Sequence, residues 1–347
     1  MIISRTPFRV SFFGGGTDYP TWFRSNGGKV LTSTINRYCY LTARYLPPFF
    51  DQRSRIVWSK IEKVDAPEEI EHPAVRAILQ FLEIREGVEI HHVGDLPARS
   101  GLASSSAFTV GLLHALYALK GQMADKAQLA DDAIYVEQEL LKEAVGVQDQ
   151  IEVAYGGINF IDIRRDGGYQ VSPMIVSRDY IDEFERHLML FFTGISRYSS
   201  EIARAQIEAI PDKTSELNAM SQLVDEAFGV LVNGRPIIDF GKLLHEAWLL
   251  KRSLTEKIST DQVDQIYSAA RDAGATGGKL LGAGGGGFML MFAPPDMQAK
   301  IRRALSGLLE IPFQFEYGGT QIIFCDNGNR GAYYRASIGP VAQRKAG

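Results

Sequence analysis

The stretch from residue 97 to residue 107, PARSGLASSSA, places three consecutive hydroxyl side chains after a run of small residues. A strand-like segment at 88–93 precedes it, and apolar residues at helical spacing follow it over 108–119, up to Gly121. The turn is therefore predicted at a helix N-terminus, where unpaired N–H groups and the helix dipole attract an anion. Gly101 and Ala103 leave room for a phosphate to approach the backbone, and the serine hydroxyls suit Mg²⁺, which prefers oxygen ligands.

Serines at such a position also cap helices, and for an isolated Ser-Ser-Ser the capping role is the more common one. Two distant stretches favour the phosphate interpretation: RTPFRV (5–10) leads into GGGTDY (14–19), and KLLGAGGGGF (279–288) stands near the C-terminus. The last of these contains G-x-G-x-x-G, but it precedes a strand-like run rather than a helix, which argues against a dinucleotide-binding fold. A Walker A motif is also absent, because Lys279 is followed by a leucine.

The pattern Pro-x-x-x-Gly-Leu-x-Ser-Ser at 97–105 resembles the phosphate loop of the GHMP small-molecule kinases, which include galactokinases, homoserine kinases and mevalonate kinases. The two other glycine-rich stretches match this superfamily in the same order, so the resemblance spans nearly the whole chain. The alternation of strands and helices indicates an α+β protein. The resemblance further implies a ribosomal protein S5 domain 2-like ATP-binding domain at 1–180 and a ferredoxin-like domain at 181–347. It also implies ATP as the phosphoryl donor and Mg²⁺ as cofactor.

The resemblance assigns roles to individual residues. The phosphate-binding residues would be Gly101, Leu102, Ala103, Ser104, Ser105 and Ser106. The sugar-binding residues would be Gly15, Gly16, Thr17, Asp18, Gly284 and Gly285. Ser105 matches the hydroxyl ligand of Mg²⁺, with Ser104 as the next candidate. Asp18 would accept hydrogen bonds from sugar hydroxyls, and an Asx turn after the glycines is its alternative role.

An acidic segment, VEQELLKEAVGVQDQ at 136–150, offers the second metal ligand. Glu137 precedes Asp149 by the same spacing as a glutamate of galactokinases, and Glu139 is the second candidate; an exposed helix face is the alternative for both. A continuous helix would separate Glu137 from Asp149 by about 18 Å. We therefore expect Gly146 to end the helix and let the chain double back.

Asp149 resembles the aspartate that contacts the acceptor hydroxyl in this superfamily, and Arg9 resembles its N-terminal arginine. An ordinary aspartate, with a pKa of about 3.9, is a weak base. In a loose transition state, however, the base has to remove little of the hydroxyl proton until late in phosphoryl transfer. Arg9 could stabilise the developing alkoxide and keep Asp149 ionised, or it could form a purely structural ion pair. The sequence alone leaves both roles open.

The segment FRVSFFGGGTDYP (8–20) departs from the galactokinases, where Gly-Glu-His precedes Thr-Asp. It is similar to the D-glycero-D-manno-heptose 7-phosphate kinases of bacterial surface-polysaccharide synthesis, as are 46–50 and 145–150. This resemblance implies phosphorylation of the anomeric hydroxyl of the heptose. The substrate's own phosphate requires cationic recognition. Arg197 and Lys279 are the candidates, and Lys29 is a third that a surface position explains better.

The length, composition and net charge of the chain restrict which other classes of function are possible. The chain has 347 residues, 45% of them hydrophobic and 22% charged, with a net charge of −4. The length suggests about two domains, and the charge argues against binding nucleic acid through bulk electrostatics. Cys39 and Cys325 give no disulfide framework, and neither a signal peptide nor a membrane-spanning run is visible. We therefore expect a cytoplasmic protein without nucleic-acid or membrane partners; a homodimer stays open.

Three functions remain: a sugar-phosphate kinase, a kinase for an unphosphorylated sugar such as fucose or galactose, and a catalytically silent sugar sensor. The joint presence of Arg9, Ser105, Glu137 and Asp149 argues against the sensor. The residues that stack on adenine are not evident from the sequence, and Trp58, next to a β-rich stretch, is the one aromatic candidate.

Overall fold

A long N-terminal hairpin organises the first half of the protein. The computed structural model describes residues 1–47, 49–98, 100–195 and 199–326. Strand β1 (Ile2–Phe13) pairs antiparallel with β2 (Gly28–Tyr45), and the short helix α1 (Pro20–Asn26) lies in the connection between them. Bulges interrupt the pairing after Pro7 and Ser11. These strands are rich in β-branched and aromatic residues, which suits a sheet buried on one face.

The strands and helices follow one another in a mixed order. The other strands are β3 (Ser54–Val57), β4 (Ile61–Val64), β5 (Val88–Gly94), β6 (Ile158–Ile163), β7 (Tyr169–Pro173), β8 (Leu188–Phe192), β9 (Gly277–Leu280), β10 (Phe288–Phe292), β11 (Leu309–Glu310) and β12 (Gln321–Cys325). The other helices are α2 (Pro73–Phe81), α3 (Ser104–Lys120), α4 (Lys126–Tyr135), α5 (Gln148–Tyr155), α6 (Arg178–Arg186), α7 (Ser199–Ala209), α8 (Thr214–Val232), α9 (Ile238–Leu254), α10 (Asp261–Asp272) and α11 (Gln298–Ala304). The predicted α+β class is confirmed.

Two sheets form within the described residues. The larger, with eight strands, has the order β12-β1-β2-β5-β3-β4, and β6 and β7 extend it from the far part of β2. Helix α3 packs across its β1 and β2 strands with one apolar face, and most of its side chains are buried. The smaller sheet has the order β11-β8-β10-β9 and lies among the C-terminal helices.

Aromatic side chains join the end of β1 to the second half of the chain. The Phe12 ring lies 5.4 Å from that of Phe184 and 5.5 Å from that of Phe240, and Phe315 completes the cluster. Such tilted and edge-on ring pairs add about 1 kcal/mol each to the burial of their area. Because this cluster fixes the end of β1, the turn that follows at residues 14–19 has a fixed position between the two halves.

Strand β12 comes from the second half but pairs with β1, from Ile2–Cys325 to Arg5–Gln321. The C-terminal half therefore completes the N-terminal sheet, and the domain boundary at residue 180 stays a prediction. Cys39 is a buried thiol, and Cys325 is exposed. In the described part of the chain, no helix has the length and apolar character required to cross a bilayer.

Most predicted elements are present, but two predictions were wrong. Helical periodicity predicts a helix over 126–144, but it ends earlier, because α4 passes into a π-helical turn over Val136–Leu140 and Lys142 adopts a left-handed conformation with φ of 55°. The apolar and aromatic run at 313–317 predicts a strand, which is reduced to a single bridge between Ile35 and Phe315. Helices α1, α5 and α6 and strands β4, β9 and β11 were not predicted.

Candidate active site

The serine-rich turn begins helix α3, but its serines do not occupy the capping position. Ala103 is the N-cap residue, with φ of 62°, and no side chain caps the helix. Ser104, Ser105 and Ser106 therefore form the first helical turn, which does not support the capping alternative. A non-glycine residue in the left-handed region is strained, and such strain concentrates at functional sites.

The turn packs directly on the C-terminal glycine-rich stretch. A Cβ at Gly101, whose φ is 79°, would lie 2.5 Å from the carbonyl oxygen of Leu281, so only glycine allows this approach. Together the two stretches form one wall of a cleft of about 450 Å³. Gly101, Ala103 and the three serines line this wall together with Gly282 and Ala283.

The structure brings together Arg9 from β1 and Asp149 from the first turn of α5. Arg9 donates from Nε to Oδ1 and from Nη2 to Oδ2, both at 2.7 Å, which is a bidentate ion pair. Its Nη1 donates to the carbonyl oxygen of Gly101 at 2.8 Å. The side chain of Arg9 is only 4% exposed, whereas that of Asp149 is 29% exposed and faces the cleft. This geometry ties the carboxylate to the phosphate loop and leaves part of it accessible to a substrate.

The turn at residues 14–19 forms the second wall of the cleft. Gly15, Gly16 and Asp18 line it, and the backbone N–H of Gly16 donates to Asp18 Oδ1 at 2.9 Å. This bond runs backward along the chain, so the turn is not the Asx turn considered as the alternative. Burial raises the pKa of Asp18, and the nearby charge of Asp149 adds to that effect.

A glycine is needed at position 146 because Asp18 contacts it, and not because a helix ends there. A Cβ at Gly146 would lie 1.9 Å from Asp18 Oδ2, so the carboxylate rests on the bare backbone of this glycine. The expectation that Gly146 ends the preceding helix was wrong, since the π turn and Lys142 already end it. The expected doubling back is present, because the Gln150 amide donates to Glu137.

Glu137 lies behind the serine turn, in the π turn that follows α4. It is 1% exposed, and its Oε2 accepts a hydrogen bond from Ser106 at 3.0 Å. Burial raises the pKa of Glu137 to about 8, and Glu143 contributes to this shift. The hydroxyl paired with this carboxylate is thus that of Ser106, whereas Ser105 is exposed and lines the cleft.

Glu139, the second metal candidate, points away from the site. Its side chain is 56% exposed and pairs with Lys142 at 2.8 Å, as expected of a solvated helix face. Among the described residues, no group of three or more His, Cys, Asp or Glu side chains could hold a metal by itself. A metal here would need ligands from a bound nucleotide.

Several predicted site residues do not reach the cleft. Thr17 is buried and its hydroxyl donates to the carbonyls of Gly14 and Lys29, so it fixes the turn internally. Also outside the cleft lining are Glu137, behind the serine turn, and Leu102, Gly284, Gly285 and Lys279. Gly285 instead donates to the carbonyl of Ile258.

The prediction that Lys279 binds the substrate phosphate is not supported. Its ammonium is buried and donates to the carbonyl of Phe12 at 2.9 Å, and burial lowers its pKa strongly. Lys29 forms an exposed ion pair with Asp225 at 2.8 Å, as a surface residue would. Arg197, the other predicted phosphate-binding residue, lies outside the described residues.

Besides Lys142, whose ammonium pairs with Glu139, two cleft-lining cations were missed by the sequence interpretation. Lys251 of α9 is 4% exposed, and its ammonium donates to the carbonyl of Gly282. Burial lowers its pKa to about 8, with Arg9 contributing in the same direction. The available signal is its place in the buried stripe of α9, where helical spacing from Leu244, Ala247 and Trp248 predicts an apolar residue.

The second missed cation is Arg204 of α7, which lines the cleft and is exposed. No ion-pair or hydrogen-bond partner is found for it within the described ranges of the chain.

Trp58, the adenine candidate, donates from Nε1 to Glu62 at 2.7 Å. Its ring meets His72 edge-on at 4.9 Å, and His72 stacks on Phe108 of α3. Trp58 is thereby connected to the helix that begins at the phosphate loop.

Comparison with known proteins agrees with this arrangement. The GHMP kinases N-terminal domain matches residues 71–157, and the GHMP kinases C-terminal domain matches residues 231–310. A D-glycero-alpha-D-manno-heptose 7-phosphate kinase of Campylobacter jejuni is 29% identical over 319 residues, covering 88% of this chain and 93% of the relative. The bifunctional fucokinase/GDP-fucose pyrophosphorylase of Arabidopsis thaliana is 27% identical, and the match covers 85% of this chain but 30% of that longer protein.

Solved structures share the fold. A D-glycero-D-manno-heptose 1-phosphate kinase of Bacteroides thetaiotaomicron superposes with a TM-score of 0.75 at 24% identity, covering 92% of this chain and 98% of the other. A sugar kinase structure from Campylobacter jejuni gives a TM-score of 0.72 at 26% identity, covering 92% and 97%. Both halves of the chain and the fold thus point to the same family, and the chain is a kinase of the GHMP family.

Proposed function

We propose that this protein transfers the γ-phosphoryl group of ATP to the anomeric hydroxyl of D-glycero-D-manno-heptose 7-phosphate, giving the 1,7-bisphosphate. The observation that carries the proposal is the bidentate Arg9–Asp149 pair, which lies in the cleft between the phosphate loop and the 14–19 turn. A carboxylate in that position can accept the proton of an acceptor hydroxyl while the loop holds the donor.

The part of the cleft that would bind the phosphoryl donor, ATP, lies at the N-terminus of helix α3. Ser104 and Ser105, in the first turn of α3, line the cleft, and the N–H groups and dipole of a helix N-terminus suit a triphosphate there. Arg9 has a double role in this scheme. Its two bonds to Asp149 fix the orientation of the carboxylate, and its third bond fixes the Gly101 carbonyl of the loop.

The residues behind the serine turn fit a magnesium ion. Glu137 Oε1 is buried without a hydrogen-bond partner in the described structure, and its carboxylate and the neighbouring Ser105 and Ser106 hydroxyls are hard oxygen donors. A raised pKa means that the apo carboxyl holds a proton that a cation would displace. Bound there with the nucleotide, Mg²⁺ would neutralise phosphate charge; Glu137 and these serines would hold it.

Two features support an acceptor that carries its own phosphate. Relatedness to the heptose 7-phosphate kinase extends over 88% of the chain. Arg204 supplies a guanidinium at the cleft that has no partner among the described residues, and a guanidinium binds phosphate in a bidentate manner. We therefore assign Arg204 the role that the sequence suggested for Arg197 or Lys279. Asp18, beside Gly15 and Gly16, would bind sugar hydroxyls.

The second candidate function is a kinase for an unphosphorylated sugar, which the similarity to the Arabidopsis fucokinase favours. A third outcome, a sensor that binds sugar without turnover, is opposed by the assembled Arg9–Asp149 pair. In either kinase role we expect a cytoplasmic enzyme. The heptose product would feed synthesis of a nucleotide-activated sugar for capsule or lipopolysaccharide.

The deciding experiment measures ADP release with MgATP and each of three acceptors: heptose 7-phosphate, fucose and galactose. Turnover of heptose 7-phosphate alone is expected. Arg204→Gln should raise KM for this substrate by about tenfold or more, the loss of one charge-assisted contact. The matched control, Arg303→Gln, changes an arginine outside the cleft. Turnover confined to unphosphorylated sugars would refute the proposal, and sugar binding with no turnover would support the sensor.

A further inference from the structure

Lys251 lies where the two glycine-rich stretches and the ion pair meet. Its ammonium donates to the Gly282 carbonyl, and a Cβ at Gly282 would lie 2.5 Å from the Cα of Gly101. Gly101 in turn accepts the Nη1 hydrogen bond of Arg9. Lys251 is therefore linked to the phosphate loop through Gly282, and to the Arg9–Asp149 pair through Gly282 and Gly101.

The charges around Lys251 are unbalanced. Arg9, Lys251 and Lys279 bring three buried basic side chains to this region, against the carboxylates of Asp18 and Asp149. Asp149 is occupied by Arg9, and neither lysine forms an ion pair with a carboxylate in the described structure. Both ammonium groups are bonded to backbone carbonyls instead. Buried charge without a counter-ion is costly, so such a site is stabilised when an anion enters it.

Of the two lysines, only Lys251 lines the cleft. Lys279 lies behind it, and burial together with the nearby Lys251 lowers the pKa of Lys279. The groups that face Lys251 are Arg9 from β1, Asp18 from the turn, Asp149 from α5 and Lys279 from β9. Arg9, Asp18 and Asp149 line the cleft together with Lys251, whereas Lys279 lies behind it.

We propose that Lys251 is a third charged residue of the reaction centre, whose ammonium binds the oxygens of the phosphoryl group as it passes from ATP to the acceptor. In this step the acceptor oxygen bonds to the γ-phosphorus, the bond from that phosphorus to the bridging oxygen breaks, and the hydroxyl proton passes to Asp149. Lys251 keeps its proton throughout. Its contribution is preorganised positive charge at the site where negative charge is transferred. The inference rests on the proposed phosphoryl transfer.

The proposed role requires the protonated ammonium form of Lys251. The pH dependence of catalysis therefore distinguishes this role from a purely structural one. Because burial lowers the pKa of Lys251 to about 8, its charge in the free enzyme is lost as pH rises through that value. We expect kcat/KM of the wild type to fall on the basic side near pH 8. Lys251→Arg keeps its charge at high pH, so the basic limb should move upward.

Lys251→Met is expected to lower kcat by about 100-fold or more, with KM for both substrates changed by less than threefold and no basic limb near pH 8. Lys242→Met, an exposed lysine of the same helix paired with Asp239, is the matched control. Thermal melting of each variant shows whether it folds. A folded Lys251→Met enzyme with wild-type kcat, or with the basic limb unchanged, would overturn the inference.

The acceptor in these assays is whichever sugar the wild type phosphorylates, and the slow hydrolysis of ATP by water is followed if it phosphorylates none. Failure with heptose 7-phosphate would thus refute the proposed substrate without deciding the role of Lys251. Loss of transfer in Lys251→Met with any acceptor, water included, would support that role, and its retention would contradict it.

Discussion

Gly146 offers a sharp test of the acceptor site, because one methyl group is predicted to displace a carboxylate. In Gly146→Ala the added Cβ would lie 1.9 Å from Asp18 Oδ2 and 2.6 Å from its Cγ. Ordinary van der Waals contact begins at 3.4 Å, so the carboxylate has to move by about 1.5 Å. The backbone at Gly146 is outside the left-handed region, and the substitution therefore adds no conformational strain of its own.

A misplacement of about 1 Å can lower the rate by about 100-fold. We therefore expect Gly146→Ala to lower kcat/KM for the sugar by about two orders of magnitude, while the Kd of ATP is unchanged because the phosphate loop is untouched. Steady-state kinetics with varied acceptor and calorimetric titration with ATP would separate the two. The matched control is Gly307→Ala, since a Cβ at Gly307 meets nothing within 4 Å.

A double-mutant cycle extends the test. If the methyl group acts through Asp18, then adding Gly146→Ala to Asp18→Ala should produce no further loss, because the displaced group is already absent. Full additivity of the two losses would show that Gly146→Ala acts elsewhere. Wild-type kcat/KM in the single variant would refute the assignment of Asp18 to the acceptor.

Three further predictions concern other parts of the site. Asp149→Asn should fold, and steady-state kinetics should show a kcat lower by about 10²–10⁴-fold. Urea unfolding should show a free energy of unfolding lower by about 2 kcal/mol, because Arg9 stays buried without its counter-ion. Glu152 is fully buried with a pKa raised by burial to about 8, so the folded state holds a proton that the unfolded state releases above pH 4.5. The wild type should thus lose stability relative to Glu152→Gln as pH rises from about 4.5 to 8, by up to about 5 kcal/mol. Trp58→Ala should raise KM for ATP by about tenfold if the indole contacts adenine, a loss of about 1.4 kcal/mol.

These three predictions have distinct contradicting results. Near-wild-type kcat in Asp149→Asn would remove this residue from proton handling. A stability difference between Glu152→Gln and the wild type that stays constant between pH 5 and pH 8 would mean that Glu152 is ionised in the folded protein. For Trp58, an unchanged KM for ATP would exclude adenine stacking, and Trp58→Phe serves as the control that keeps an aromatic ring.

The sequence was sufficient for the parts of the site that depend on local chemistry. Glycines and serines at 97–107 predict a turn before a helix from their own conformational preferences. The meeting of Arg9 with Asp149 was expected from the family resemblance, since no local property of either residue specifies the partner.

The missed features depend on tertiary contacts. Lys251 looks like one of the cations that favour a helix C-terminus, and only the position of Gly282 on the phosphate loop makes it a buried cleft residue. Gly146 looks like a helix stop, whereas its cause is the carboxylate of Asp18, 128 positions earlier in the chain. Lys279 looks accessible between a strand and a glycine run, but β1 covers it.

The pairing of β12 with β1 has a consequence for how the protein is made. The strand that carries Arg9 has β2 along one edge and residues 321–325 along the other, so its second neighbour is among the last described residues to leave the ribosome. Until β12 is synthesised, one edge of β1 has unpaired backbone N–H and C=O groups that can pair with a strand of another chain. Contacts over such long sequence separations slow folding. The nascent chain therefore completes the sheet beneath its reaction centre only after synthesis has passed residue 325.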